Sequence, residues 1–371
     1  MKHAAAPVAE SHAPPPPRMR AVVFARPGQF ELREVPTPEP GPGQVLVRVR
    51  ACMICATDRK ILDGRFAGTK FPVIPGHEFS GDVVGAFGGA ATWDSRAAQG
   101  DGAASRRVGA EIHVGCGTCD RCREGLYNLC LNYGRIETGH AHIGFTVSGA
   151  LAEYVAVPAA ALHALPETVS YEEGAWTDNL GVALWALERG RLAAGERVAV
   201  IGPGAIGLCA AQLARALGAA HVTIVGHDGD RLKRARAFAD ETVDQVEVQV
   251  LSGIADLVVE FAGTAQAARD ALRLARRGGR VVLGGATGEG IELSGVDLST
   301  IVRGHLDVLG SVANPKGVSG RALALLGRGV VDVKPLITHR FPLERFPEAW
   351  QTFVERRDGA IRVMLHPGGK E

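Results

Sequence analysis

Four cysteines crowd into the stretch from Gly115 to Cys130, GCGTCDRCREGLYNLC, with the spacing C-x2-C-x2-C-x7-C. Thiolates this close, in a loop rich in Gly, Asn and Arg, can converge tetrahedrally on one Zn2+ with no open position. A pair of disulfides or four unrelated thiols are the competing readings. Two-residue gaps favour a metal loop over a disulfide framework, and nothing else in the chain looks secreted. Cys116, Cys119, Cys122 and Cys130 are therefore expected to hold a structural zinc. A closed site of this kind accounts for stability and shape, so the chemistry must lie elsewhere.

The chain has 371 residues, long for one core, and two domains are expected. Its 41 basic and 40 acidic residues leave a formal charge of +1, which gives no footprint for nucleic acid or an anionic membrane and favours a small-molecule partner. The N-terminus, MKHAAAPVAESHAPPPPRMR, has no apolar h-region. Residues 1–18 read as a disordered tail holding a four-proline run, Pro14 to Pro17. No charge-free apolar run of about 18 residues occurs, so no membrane span is expected. Beyond the loop, the remaining thiols Cys52, Cys55 and Cys209 point to a reducing cytoplasm.

From Met19 come short strands with turn signals: RAVVFA, FELREVPTP, the turn PEPGPGQ, and VLVRVRACMIC. Val45, Val47 and Val49 alternate with Leu46, Arg48 and Arg50, the pattern of a half-buried strand. PVIPGHEFSGDVVG (72–85) adds another turn and strand. Residues 86–107, which include Trp93, lack periodicity and read as a surface insertion. Residues 171–189 carry apolar side chains at helical spacing, with Ser170 as N-cap and Glu173 at the capping-box position. The texture then changes. Val198–Ile201, HVTIV, LVVEFAG, RVVLGG and LDVLGS are short buried strands separated by helical patterns such as AQAARDALRLARR, which predicts a doubly wound parallel sheet. From about Lys334 the chain reverts to β-and-turn texture and is expected to return to the first domain.

Directly after the strand VAVI, the turn carrying Gly202, Gly204, Ala205, Ile206 and Gly207 reads G-x-G-x-x-G and opens a helix expected to end at Gly218. Such a turn lets the backbone approach a pyrophosphate at the helix N-terminus. A carboxylate for the adenosine ribose is expected at the end of the second strand, yet that strand ends at Gly226, followed by His227 and Asp228. His227 or Arg231 can contact a 2′-phosphate, whereas Asp228 can reach the ribose or repel the phosphate. NAD and NADP both stay open on the sequence.

Two further motifs, ICATD (54–58) and PGHEFSG (75–81), complete the pattern. With the cysteine loop and the glycine turn, they make the chain from Met19 to Pro367 resemble the zinc-dependent medium-chain alcohol dehydrogenases. The branch acting on polyols, sugars and threonine is the most similar, with its C-G-[ST]-D and G-H-E patterns. The resemblance implies an α/β fold: a GroES-like β-barrel catalytic domain (19–187 and 335–371) plus a doubly wound parallel-sheet Rossmann domain (188–334). It implies two Zn2+ per chain, NAD or NADP, and a homodimer or homotetramer. Cys55, His77 and Asp178 fall on the catalytic zinc ligands, Asp178 within EEGAWTDNLGVALWA, where Asn179 stands at a usual proline. Glu78 resembles a residue that joins such a zinc as an exchangeable ligand, and a role orienting the site is equally open. Asp58 resembles the carboxylate that fixes the ligand histidine. Thr57 matches the hydroxyl that takes the substrate proton, Lys60 occupies the place of a relay histidine, and Ala56 replaces a glycine. The implied reaction is hydride transfer between a secondary alcohol and NAD(P), with the alkoxide on zinc. An epimerase or cyclase using transient hydride transfer, or a zinc-binding interaction module, are the alternatives. Cys52 and Cys209 read as core thiols, while His140 and His142 read as cleft-lining or solvated. Phe66, Trp176 and the stretch near Gly144 are expected around the substrate.

Overall fold

The computed structural model describes residues 14–66, 68–86, 106–227, 229–285 and 290–368. The tail up to residue 13, most of the 86–107 stretch with Trp93, and Asp228 lie outside the described residues.

Two sheets organise the molecule. The first contains seven strands: Ile337–Pro342, Arg362–His366, Gln44–Met53, Glu78–Ala86, Arg107–Ala110 and Leu162–Ala164 in that order, with Tyr154–Pro158 also paired to Gln44–Met53. An antiparallel hairpin, Arg18–Arg26 with Gln29–Pro36, packs beside it through bridges at Ala21–Ala152 and Phe24–Val73. The strand Gln44–Met53 has Val45, Val47 and Val49 buried and Arg48 and Arg50 half-exposed, while Leu46 is buried too because strands flank it on both sides. The end of that strand positions the site. Met53 pairs with Glu78 on one side and Met364 on the other, which draws Cys55, His77 and Arg362 to one corner of the sheet.

The second sheet has six parallel strands in the order Glu241–Asp244, His221–Gly226, Arg197–Ile201, Ala255–Glu260, Ala275–Leu283, Asp307–Gly310. Val198 to Ile201 are all buried, as expected for a strand covered on both faces. The helix Ala205–Ala216 follows the glycine turn and is stopped by Gly218 at φ +95°.

Three local expectations need correction. The 171–189 stretch is two helices, Tyr171–Gly174, capped by Ser170 and Glu173, and Thr177–Arg189. The break falls where the Thr177 hydroxyl donates to the Gly174 carbonyl and Trp176 turns wholly inward. The C-terminal tail is not all strand and turn. Pro347 starts a helix, Phe346–Glu355, that buries Phe346, Ala349 and Trp350. Ala275 to Arg277, the end of a predicted helical run, belong to the strand Ala275–Leu283.

The helix Thr177–Arg189 joins the two sheets. One apolar cluster runs from Met53 and Met364 through Trp176, Leu180, Leu184 and Leu187 to Leu208, Ala211 and Val200. Each buried leucine there contributes up to about 1.5–3 kcal/mol, so the first turn of this helix, with Asp178 and Asn179, is held rigidly. Cys52 and Cys209 are fully buried core thiols. No helix among the described residues is long and apolar enough to cross a membrane.

Candidate metal and dinucleotide sites

Cys55 ends the run out of strand Gln44–Met53 in an extended conformation and caps the helix Ala56–Leu62. Its backbone N–H donates to Asp58 Oδ2 at 2.8 Å, which fixes both residues. The other oxygen of this wholly buried carboxylate, Oδ1, lies 3.5 Å from His77 Nδ1. Asp58 therefore favours the tautomer with the proton on Nδ1 and leaves Nε2 available. His77 follows Gly76, whose φ of +94° and close approach to Leu151 N exclude a side chain. Burial alone would lower the pKa of His77, but the Cys55 thiolate and the Asp58 carboxylate outweigh it and hold it well above the ordinary value. A buried pocket that draws a proton this strongly exerts the same pull on a metal dication.

Glu78 completes the group. One ligand atom each from Cys55, His77 and Glu78 lie within 4.8 Å of one another. Glu78 Oε1 is 3.9 Å from His77 Nε2 and accepts from Asn179 Nδ2 at 2.7 Å and Arg362 Nη2 at 3.0 Å. Its Oε2 is buried without a hydrogen-bond partner among the described residues. A thiolate, an imidazole and a carboxylate with an orphaned oxygen fit a zinc ion with one position open. Asp178 is brought near this group but not into it. Its Oδ1 accepts from Ile112 N at 3.1 Å, and burial, with Glu78 nearby, lifts its pKa to about 7 against the pull of His77.

Arg362 escaped the sequence reading. It is 5% exposed, donates to Glu78 and to the Ile54 carbonyl, and lies over the Trp176 ring at 5.7 Å. The available signal was one arginine inside the apolar run AIRVML. Thr57 Oγ1 lies 3.7 Å from Cys55 Sγ, and Lys60 follows one helical turn later. His140 and His142 are buried, not solvated. With His113 they form a layer in which His142 stacks on His113 at 4.0 Å and on Phe145 at 3.8 Å, and Phe145 meets both Phe66 and His77.

The four Sγ atoms of Cys116, Cys119, Cys122 and Cys130 also lie within 4.8 Å of one another, with no disulfide among them. The 116–122 and 119–130 separations are 3.9 and 4.0 Å. Zn–S bonds of about 2.3 Å give a tetrahedral edge of about 3.8 Å, so the group is sized for zinc. Thr118, the Cys119 N–H and Asn132 donate to Cys116 Sγ, and Thr118 leads in pulling its pKa down to about 5.

At the dinucleotide turn, Gly202 has φ +107°, and a Cβ on Gly207 would lie 2.1 Å from the Gly202 carbonyl oxygen. Around Gly204 a Cβ would meet nothing within 4 Å, and the first-turn amides of Ala205, Ile206 and Gly207 point out of the helix end. Gly226 admits no side chain, since a Cβ there would lie 2.4 Å from Pro203 Cγ. His227 is exposed, while Arg231 donates to the Ala360 carbonyl at 3.1 Å.

The comparisons with known proteins agree with this geometry. Residues 41–167 match the alcohol dehydrogenase GroES-like domain and residues 205–326 the zinc-binding dehydrogenase domain. The chain is 33% identical to an L-threonine 3-dehydrogenase of Saccharopolyspora erythraea, over 92% of this chain and 98% of the relative. It is 30% identical to a sorbitol dehydrogenase of Macaca fascicularis, over 94% and 96%. A zinc-binding dehydrogenase from Sinorhizobium meliloti 1021, solved bound to NADP, superposes with a TM-score of 0.83 at 33% identity, over 94% of this chain and 99% of that one. A barrel-type sheet bearing a half-buried cysteine beside a buried histidine and glutamate, joined to a parallel sheet with a glycine turn, is the architecture of a zinc-dependent dehydrogenase. The chain belongs to the zinc-dependent medium-chain alcohol dehydrogenase family, in its polyol and threonine dehydrogenase branch.

Proposed function

We propose that this protein transfers a hydride between a secondary alcohol of polyol, sugar or cyclitol type and NAD(P), in a cleft between a catalytic unit (19–187 and 335–371) and a dinucleotide unit (188–334). The observation that carries the reading is the convergence of half-buried Cys55 with buried His77 and Glu78 within 4.8 Å. These three hold a catalytic zinc, with Asp178 beside it, and Cys116, Cys119, Cys122 and Cys130 hold a second, structural one. Zinc at the first site supplies Lewis acidity that lowers the pKa of the substrate hydroxyl. Asp58 keeps the His77 ring oriented. Thr57 accepts the departing proton and starts its passage to solvent. Gly202, Gly204, Ala205, Ile206 and Gly207 seat the pyrophosphate, so that the carbinol hydrogen is directed to the nicotinamide ring.

At the adenosine end the reading favours NADP. Pro203 denies Gly226 any side chain, so among the described residues no carboxylate stands at the strand end to bind the ribose diol or repel a 2′-phosphate, and His227 lies exposed beside it. Assembly as a homodimer or homotetramer belongs to the same reading. It is supported by the strand Asp307–Gly310, an edge of the parallel sheet, with Val308, Leu298 and Val302 exposed near it.

The test is metal analysis with turnover. The wild type is expected to bind two zinc ions and reduce NADP with a polyol or aminocyclitol panel. Cys55→Ala keeps one zinc and loses activity. Unchanged turnover with a single zinc bound overturns the assignment.

A further inference from the structure

We propose that Asn179 is a positioning residue that commits Glu78 to the metal and leaves Asp178 off it. The inference rests on the zinc reading above and concerns how its ligand set is chosen. Asp178 and Asn179 are neighbours in the first turn of helix Thr177–Arg189, so their side chains leave the axis about 100° apart. Asn179 is 1% exposed and directs Nδ2 onto Glu78 Oε1 at 2.7 Å. Asp178 is directed to the backbone N–H of Ile112.

Three features make Asn179 a determinant and not a bystander. First, it shares Glu78 Oε1 with Arg362, so two donors from two different elements occupy one oxygen and fix the plane of the carboxylate. Second, the clamped carboxylate belongs to a group whose ligand atoms lie within 4.8 Å of one another, and its other oxygen, Oε2, is buried and unsatisfied among the described residues, an arrangement that gains when a cation takes it up. Third, Asn179 Oδ1 is itself buried without a partner among the described residues, so the side chain is not kept there by a saturated hydrogen-bond set of its own. With the donor present, Glu78 is held as a standing ligand. Without it, Glu78 rests on Arg362 alone, and Asp178 becomes the competing carboxylate.

The experiment uses the full-length protein loaded with zinc, and with cobalt in place of the catalytic zinc. Asn179→Ala is expected to keep its fold and the structural zinc, to lose catalytic-site affinity by about 10–100-fold in chelator competition, and to shift the visible cobalt bands. Asn179→Leu, which fills the space but carries no donor and no charge, should do the same and covers the case in which the alanine variant does not fold. Asp178→Asn alone should leave metal affinity and the cobalt spectrum unchanged, but in the Asn179→Ala background it should weaken the metal further, a non-additive pair. Wild-type affinity and spectrum in both Asn179 variants would overturn the proposal while leaving the zinc reading intact. A shifted spectrum in Asp178→Asn alone would also overturn it, because Asp178 would then be a ligand already. Wild-type protein that binds only one zinc removes both the inference and the reading beneath it.

Discussion

The two cysteine-bearing groups are built in opposite ways. The lobe from Gly115 to Cys130 collects its four thiols from one short stretch, and three of the four are only half-buried. Its hydrogen bonds are largely local, such as the N–H of Cys119 to the sulfur of Cys116. The Cys55–His77–Glu78 group is assembled by sheet pairing. Its supporting donors come from 101 and 284 residues away along the chain, at Asn179 and Arg362. A local group folds around its metal, so the metal is part of the folding free energy. A group assembled by topology is pre-formed by the sheets around it, and its metal adds chemistry to a scaffold that stands already.

The largest effect should therefore fall on the lobe, although it lies outside the chemistry. Structural zinc contributes on the order of 10 kcal/mol in small zinc modules, and here the lobe also reaches the end of the parallel sheet. Asn128 Nδ2 donates to the Val312 carbonyl at 2.8 Å, and Lys316 N to the Gly125 carbonyl at 3.1 Å. Cys119→Ser should lose one zinc and unfold or dissociate, seen by metal analysis, thermal denaturation and sizing, before the chemical step changes. The Cys55→Ala protein should melt close to wild type. If Cys119→Ser stays folded and assembled while Cys55→Ala collapses, the contrast is backwards.

The same contrast explains what was legible in the sequence. Spacing alone reveals a local metal lobe, and a glycine turn after an apolar strand reveals the parallel sheet, because strands covered on both faces read as unbroken apolar runs. Glu241–Asp244 escaped since it is a short edge strand with only Val243 buried. The helix Phe346–Glu355 escaped because Pro342 and Pro347 mimic turn punctuation, although Phe346, Ala349 and Trp350 keep helical spacing. At the catalytic group the motifs pointed to Cys55, His77 and Asp178, with Glu78 as an exchangeable further ligand or an orienting acid. On our proposal, which carboxylate joins Cys55 and His77 depends on the Asn179 and Arg362 side chains that donate to Glu78 and on the Ile112 backbone N–H that donates to Asp178, contacts that no local pattern encodes.

Between the two groups lies the layer of His113, His140 and His142, whose reluctance to take up protons should make the fold sensitive to acid. Burial lowers all three pKa values from an ordinary 6.5, His113 to about 3, with neighbouring imidazoles adding to the effect at His113 and His142. The unfolded chain then binds more protons than the folded one below pH 6.5. The stability from keeping them neutral is complete above that value and is lost as pH falls toward 3. Each imidazole kept uncharged removes up to about 1.4 kcal/mol per pH unit across its own window. Urea unfolding at stepped pH should show stability declining below about 6.5, with a shallower slope in His142→Phe. An identical slope in that variant would mean that carboxylates, not this layer, govern the acid limb.

The smallest effect concerns the dinucleotide turn, which is local in sequence yet depends on a contact between two strands' ends. Pro203 follows Gly202 in the turn, and its Cγ and Cδ would lie 2.4 and 2.5 Å from a Cβ on Gly226, whereas its own Cβ would lie at 3.5 Å. Gly226→Asp alone therefore introduces a carboxylate that cannot settle, and should weaken both cofactors without a clean switch. Pro203→Ala removes Cγ and Cδ and keeps only the atom at ordinary contact distance. In the Gly226→Asp/Pro203→Ala pair, the aspartate can reach the ribose hydroxyls and repel a 2′-phosphate. The ratio of kcat/KM for NAD over NADP should rise by about tenfold or more, close to 1.4 kcal/mol of discrimination. Pro203→Ala alone should leave the ratio near wild type. If Gly226→Asp alone switches the preference as fully as the pair, Pro203 does not control the position, and the turn is as self-contained as the cysteine lobe.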